Sequence, residues 1–386
     1  MFDNLNSAIE YIVGLFEEIN QYYVEKIAKQ ILKIGELSST NINRLAIMRQ
    51  MGADVSEINK RLLQATGKSA AGIVKIYDNA LHQTYTDPRF AKFVQQNPLS
   101  DAGKARINTY VSQLSRQTVS GIMNYSNTTA VSETYRRAID RAILATSSGM
   151  ADYQSAMRDT VRSLGESGMQ VLYESGYHRR LDTAVRQNII DGTNQIAQHA
   201  SLMIGEELGA EYDAVEISAH AMCAADHEPV QGRVFLLEEY NRLQSNQPFK
   251  DVDGHRYQSI KRPIGEWNCG HIAMSFSTQY SKRQYTDKQL AMWAADNAAG
   301  CTIDGRHYSL YRASQYMRQI ETAIRKQKDI AVAAQAAGDD LLRSQCQDRI
   351  NSLSRKYNDV AAQAGLEPQR SRTTVKGFKP IKIKSR

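Results

Sequence analysis

Residues 3–35 read DNLNSAIEYIVGLFEEINQYYVEKIAKQILKIG, and their periodicity decides the fold class. Leu5, Ile9, Ile12, Phe16, Ile19, Tyr23, Ile27, Ile31 and Ile34 recur at steps of three and four. That spacing lays a single apolar stripe along an amphipathic helix. The opposite face is rich in Glu, so the stripe is expected against other helices rather than on anionic lipid. The same texture continues outward. Ser38-Ser39-Thr40 breaks the pattern, a shorter helix runs to about Met51, and Asp54 is placed to cap another that reaches Thr84. Asp87-Pro88 and Asn97-Pro98 punctuate the chain before helices at about 101–125, 127–147 and 151–165, the last two parted by Ser147-Ser148-Gly149 and restarted at Asp152. Gly165, Gly168 and Gly176 mark a loosened stretch around a short helix, and a long helix spans about 178–209 with Gly209 as its C-cap. Residues 1–209 are therefore expected to form an elongated helical region.

The texture changes at Glu211. Asp213 to Ser218 alternates as a strand does, Gly232 to Leu236 reads as a second strand, and Ile272 to Phe276 as a third. Residues 238–266 show little periodicity and read as a loop-rich insert. Residues 210–305 are thus expected to be a small α+β module. Helical spacing returns with Met317, Ile320 and Ile324, and again with Leu342, Cys346, Ile350, Leu353, Tyr357, Val360 and Ala364. With Gly338-Asp339 between the two runs and Pro368 after them, residues 306–366 read as a helical hairpin whose stripes require a partner. The fold class is mainly α with a small α+β module.

Charge separates along the same chain. The formal net charge is +7, and residues 367–386 hold seven bases, Arg370, Arg372, Lys376, Lys379, Lys382, Lys384 and Arg386. Those seven account for the whole excess, so any nucleic-acid contact is expected in this tail and not on a balanced body. No run of eighteen uncharged apolar residues occurs, which argues against a membrane span, and no leader peptide is read in the acidic N-terminal stretch. Four cysteines are too few for a disulfide framework, which fits synthesis in a reducing cytoplasm.

The chemistry-bearing residues gather in the module. His220, Cys223 and His227 are followed about forty residues later by Cys269 and His271. Imidazole and thiolate suit zinc, and a structural site closes around four ligands, so at most four of these five can hold one Zn²⁺ at once. The alternative is a hydrogen-bonded core of His220, His227 and Asn268 with Cys223 and Cys269 as small buried side chains, or a disulfide between the two cysteines. Trp267 is expected to anchor the loop, Cys346 to lie in the core and Cys301 in a turn. An enzyme reading has less support. Asp226-His227, Asn268 and His271 follow the residue order of ββα-metal nucleases, but the last two are only three positions apart. A phosphate loop, a nucleophile elbow and a His-Glu-x-x-His helix are all missing from the sequence.

From about residue 134 onward the sequence resembles the phage minor capsid protein 2 family, a relative of the Mu F-like head morphogenesis proteins. The resemblance rests on an ordered series: Ala184-Val-Arg186-Gln-Asn188, Val215-Glu-Ile-Ser-Ala-His220, His227, Gln231-Gly232-Arg-Val-Phe, Gly265, Asn268-Cys269-Gly270-His271, Tyr285-Thr286 and Gln319-Ile-Glu321-Thr-Ala-Ile-Arg325-Lys326. The chain departs from the usual pattern at Val230, where the family has an aromatic residue, and at Gly270, where it has Arg. It also has Cys223 where the family often lacks a cysteine, so a four-ligand count is not inherited. The related Mu F-like module carries Cys-x2-Cys and His-x2-Cys-x-Cys in comparable places.

What the resemblance implies is a structural, non-enzymatic component of a tailed-phage head, made in the host cytoplasm and carried in the virion. Its implied partners are the portal or the major capsid protein, with packaged double-stranded DNA at the basic tail, in head assembly, packaging and DNA retention or ejection. Two other functions stay open at this stage: a zinc-dependent hydrolase or nuclease of packaging, and a DNA-binding protein with no virion role.

Overall fold

A computed structural model describes residues 2–36, 41–87, 98–128, 133, 135, 137, 138, 140, 153–173, 175–209, 212–260, 262–266 and 269–381. Ser38-Ser39-Thr40, Pro88, Asn97, Ser147-Ser148-Gly149, Asp152, Trp267, Asn268, Lys382, Lys384 and Arg386 lie outside these. The described chain is mainly α with small antiparallel sheets, and it divides into two compact units. The first unit comprises Met1–Ser69, Gly121–Arg186 and Ser314–Arg386; the second comprises Ala70–Ser120 and Gln187–Ala313.

The first unit is built on α1 (Phe2–Glu36). Ile12, Phe16, Ile27 and Ile31 are fully buried, so the stripe that decides the fold class is the core of this unit. Part of α2 (Asn41–Tyr85) packs here, and its continuity corrects one expectation. Asp54 caps nothing. It is buried in mid-helix, where its carboxylate accepts from Tyr135 Oη at 2.9 Å and Gln50 Nε2 at 3.0 Å and pairs with Lys26 at 3.8 Å. Partners far away in sequence satisfy an acid that looks like a helix start.

After α3 (Asp101–Thr128) comes α4 (Tyr153–Ser167). Gly165 lies inside α4 rather than in a loosened stretch: a Cβ there would fall 2.5 Å from Ile330 Cα, so this glycine lets two helices approach closely. The next segment is a hairpin, not a short helix. β1 (Gln170–Leu172) pairs with β2 (His178–Arg180), and three-residue strands are too short to show alternation. α5 (Leu181–Leu208) follows and ends, as expected, at Gly209 with φ +88.

The helical hairpin is present as α8 (Leu310–Ala336) and α9 (Asp340–Ala364). Tyr357 Oη donates to Glu321 at 2.7 Å, residues roughly equidistant from the turn, which fixes the antiparallel pairing. Asp339 caps α9 by accepting from Leu342 N–H at 2.8 Å and holds Arg158 at 2.8 Å. Gly365 in the left-handed region closes the hairpin ahead of Pro368. Leu342, Cys346, Ile350, Tyr357 and Val360 are buried within the chain, so the stripes expected to need a partner molecule already have one.

One buried arginine, with two half-buried ones beside it, organises this unit. Arg180 bridges Asp182 and Asp329, and Arg325 takes the other oxygen of Asp182. Arg186 forks onto Glu10 of α1 at 2.5 and 2.8 Å. Burial opposes ionisation at Asp182, but Arg180 and Arg325 overcome it and hold the carboxyl down at about 2; at Asp329 burial wins and the shift is upward.

The second unit contains the module. β3 (Ala214–Ile217) is central between β4 (Val234–Leu236) and β7 (Ala273–Phe276), all antiparallel. Val215, Ile217, Phe235, Leu243, Phe249 and Ile264 form its core. The open edge of β7 is covered by α5: Ala273 N–H donates to Gln198 Oε1 and Ser275 N–H to Ser201 Oγ. This blunts an edge that would otherwise pair with another chain. Gly205 makes the approach possible, since a Cβ there would meet Ser275 Oγ at 2.3 Å. The expected loop-rich insert is more ordered than its sequence suggests. It holds α6 (Leu237–Gln244) and a hairpin of β5 (Phe249–Lys250) and β6 (Arg256–Tyr257), fixed by stacking of Phe249 on Tyr257. Elements of two to eight residues carry no readable period. α7 (Asp287–Ala299), capped by Thr286, and a hairpin of β8 (Cys301–Ile303) with β9 (Arg306–Tyr308) complete the unit.

Replacing Arg180 with Met leaves Asp182 and Asp329 without their shared counter-ion, which costs about 3–5 kcal/mol for a buried pair broken on one side. Denaturant unfolding is expected to show that loss. Asp182, depressed in the folded state, contributes stability that is present above its unfolded pKa and is lost as the pH falls toward 2.

Candidate metal centre

The loop from Ser218 to Arg233 and the approach to β7 supply the cluster. Ser218 N–H donates to Ile272 O and Ile272 N–H to Ser218 Oγ, so the exit of β3 is clamped to the entry of β7. Tight turns then present His227 and Gln231, with Val230 and Gln231 N–H groups both donating to His227 O. Gly232 closes the loop at φ +66, where a Cβ would lie 2.7 Å from Leu290.

Three side chains converge. His227 Nδ1 lies 3.3 Å from His271 Nδ1, and Cys269 Sγ lies 3.6 Å from the first and 3.8 Å from the second. Zinc at about 2.0–2.1 Å from nitrogen and 2.3 Å from sulfur requires, in a tetrahedron, edges of about 3.3 Å between nitrogens and 3.6 Å between nitrogen and sulfur. The three separations match one face of that tetrahedron. All three residues are buried, at 1%, 5% and 4% exposure for His227, Cys269 and His271.

The hydrogen bonds around the rings sharpen the match. His227 Nε2 faces Arg262 O at 2.8 Å, and His271 Nε2 faces Gln231 Oε1 at 3.4 Å. Arg262 O is an acceptor, so His227 Nε2 carries a proton, and Gln231 Oε1 favours the same tautomer at His271. A proton shared between His227 Nδ1 and the Cys269 sulfur, or a cation in the triangle, separates the two Nδ1 atoms. Outer carbonyl partners of this kind fix the tautomer of metal-bound histidines. Arg262 is itself held by a fork onto Asp226 at 2.8 and 3.1 Å.

Protonation follows the same division. Burial pushes His271 down to about 3, helped by the neighbouring His220 and His227, so its imidazole is neutral. Burial would raise Cys269, but the hydrogen bond to His227 prevails and the shift is downward. Cys223 is pushed up to about 12 by burial, with Glu228 and Asp226 adding to it.

The five sequence candidates therefore separate. His227, Cys269 and His271 come together. Cys223 touches His271 on its far side, 3.5 Å from Nε2, and stands apart from the three converging atoms. His220 is exposed and bonds Gly270 O at 2.7 Å, with its ring 4.6 Å from that of His271. All four cysteines are free thiols, so Cys223 and Cys269 form no disulfide here.

Sequence reasoning missed three supports. Gln231 accepts from His220 N–H at 2.9 Å as well as facing His271; it stands in the motif series, but nothing there marks its role. Arg262 lies in the aperiodic insert and gave no signal. Asn297 is buried on α7, donates to Cys223 O at 3.1 Å and Glu228 Oε2 at 3.0 Å, and accepts from Tyr311 N–H at 2.9 Å. A second grouping, Asp251, Asp253 and His255, is explained locally: Asp251 accepts from His255 N–H, His255 Nδ1 and Tyr257 Oη and shapes the β5–β6 turn.

The tail candidates lie elsewhere. Arg370 and Arg372 sit in a 3-10 turn, Arg370–Thr373, and Lys376 pairs with Glu18 at 3.4 Å. Lys379 is exposed.

The chain matches the family model described as phage minor capsid protein 2 over residues 3–361, so the match reaches the N-terminal helices as well as the module. No curated protein and no solved structure matches it.

Asn297→Ala would remove the amide that Cys223 O accepts from in a buried setting. A loss of about 1–3 kcal/mol is expected, the cost of an unsatisfied buried polar group, read as a lower melting temperature.

Proposed function

This chain belongs to the phage minor capsid protein 2 family and is a minor structural protein of a phage head; from that premise we propose that it docks on the portal or the inner capsid surface and acts there in head assembly and in DNA packaging, retention or ejection. The observation that carries this reading is the family match along residues 3–361. Docking draws no support from unburied helical stripes, because those stripes are satisfied within the chain. No described helix is long and apolar enough to cross a membrane.

In this reading the module is a rigid knob braced by one structural Zn²⁺. His227 and His271 would hold the ion through Nδ1 and Cys269 through Sγ. Bound zinc supplies cross-linking free energy to a fold with short strands. Burial of all three ligand residues favours a brace over a hydrolytic centre, since catalytic zinc keeps an open position for water or substrate. The basic tail is the proposed contact for packaged double-stranded DNA, through sequence-independent phosphate interactions.

Two tests follow. Elemental analysis of the purified protein should give about one zinc per chain, lost in His271→Ala and in Cys269→Ala. Gln231→Leu, which frees the His271 tautomer, should weaken zinc binding about 10- to 100-fold, the usual effect of removing an outer partner. Zinc-free protein with unchanged stability would contradict the brace. Purified virions should contain the 43.4 kDa chain in the head fraction; heads that lack it at every stage of assembly would contradict the head role.

A further inference from the structure

The basic tail is not a free arm over residues 369–381. Gln369 N–H donates to Tyr357 Oη at 2.8 Å and Ile381 N–H to Gln347 Oε1 at 3.1 Å, which pins both ends to α9. Between them, cations of the hairpin reach the tail's own carbonyls: Lys328 Nζ donates to Thr373 O at 2.6 Å, and Arg343 Nη2 to Lys379 O at 3.3 Å. Lys328 also lies 5.3 Å from the centroid of the Phe378 ring. Gly377, at φ +77, sits against Gln21 of α1.

These contacts gather like charges. Arg370, Arg372, Lys376 and Lys379 of the tail come to lie alongside Lys328 of α8 and Arg343 of α9. A carbonyl oxygen accepts a hydrogen bond from a cation but does not cancel its charge. Lys376 meets Glu18, with both side chains about half exposed. The nearby buried acids are engaged elsewhere, Glu321 with Tyr357 and Arg318, and Asp329 with Arg180 and Asn20. Burial lowers the Lys328 pKa. The bases gathered here outnumber the acids Glu10, Glu17 and Glu18 that line the groove beside Lys376, so a line of anions laid across the surface would be attracted to it.

We propose that the docked tail and the α8–α9 hairpin form one composite basic surface for the phosphate backbone of double-stranded DNA, and that bound DNA holds the tail down. The inference rests on the tail–DNA reading above and specifies its geometry: affinity depends on docking as well as on charge. A ligand that binds the docked form more tightly must stabilise it, by linkage.

The test is binding of a fluorescently labelled duplex of arbitrary sequence to the full chain, titrated with salt, together with amide exchange of the tail. Gly377→Val keeps every charge but forces a β-branched residue into the left-handed region. Gln347→Ala removes the Ile381 anchor by an independent route. Both should weaken binding severalfold, and Arg343→Gln should lower the slope of log affinity against log salt by about 0.9. Exchange at Phe378 and Ile381 should slow when DNA is added. Unchanged affinity in both undocked variants, or faster tail exchange on DNA, would overturn the composite surface and leave a free tethered arm. If the wild type binds no duplex at low salt, or if Arg370→Gln, Arg372→Gln and Lys379→Gln together change nothing, the tail–DNA reading itself fails.

Discussion

The module turns on two buried imidazoles that meet through their Nδ1 atoms. Arg262 O holds the Nε2 proton of His227, and Gln231 Oε1 that of His271. Each ring turns its Nδ1 toward the other, 3.3 Å away, with the Cys269 sulfur completing a triangle. The surrounding architecture enforces this contact. The clamp between Ser218 and Ile272 sets the two strand ends, and the Asp226–Arg262 fork positions the carbonyl that orients His227. A cation bound there would make the triangle a cross-link between the β3–β4 loop and the entry to β7.

The helical half reaches rigidity differently. Its core is the long stripe of α1, and its buried ion cluster ties the start of α5 to α8 through Arg180, Asp182, Arg325 and Asp329. Such clusters contribute little net stability over apolar packing, yet they punish misalignment heavily because one absent partner leaves a charge buried. The ion cluster fixes the relation between segments remote in sequence, as a bound cation in the module would do there.

Much of this was legible in the sequence where a physical period is long enough to read. The α1 stripe, the α8–α9 pair with its Gly338-Asp339 junction and the three strands of the sheet all follow from spacing. Asp54 misled because an acid before a helical run looks the same whether backbone N–H groups or a distant Tyr135 satisfy it. Gly165 misled because a glycine needed for helix contact cannot be told locally from one that loosens a loop. The β1–β2 hairpin and α6 were hidden by brevity. At the cluster, three of the five candidates converge. Choosing among them needed the acceptors around each ring, and Arg262 and Asn297 carry no local mark of that role. The tail showed its charge but not its course, which depends on Tyr357, Gln347 and Lys328.

The most direct test of the brace is X-ray absorption at the zinc edge of the purified, fully loaded protein. The account predicts a shell that contains two imidazole nitrogens near 2.0–2.1 Å and a sulfur near 2.3 Å. A shell of oxygen and nitrogen alone, with no sulfur scatterer, would mean that the ion sits elsewhere and that His227, Cys269 and His271 do not hold the module together.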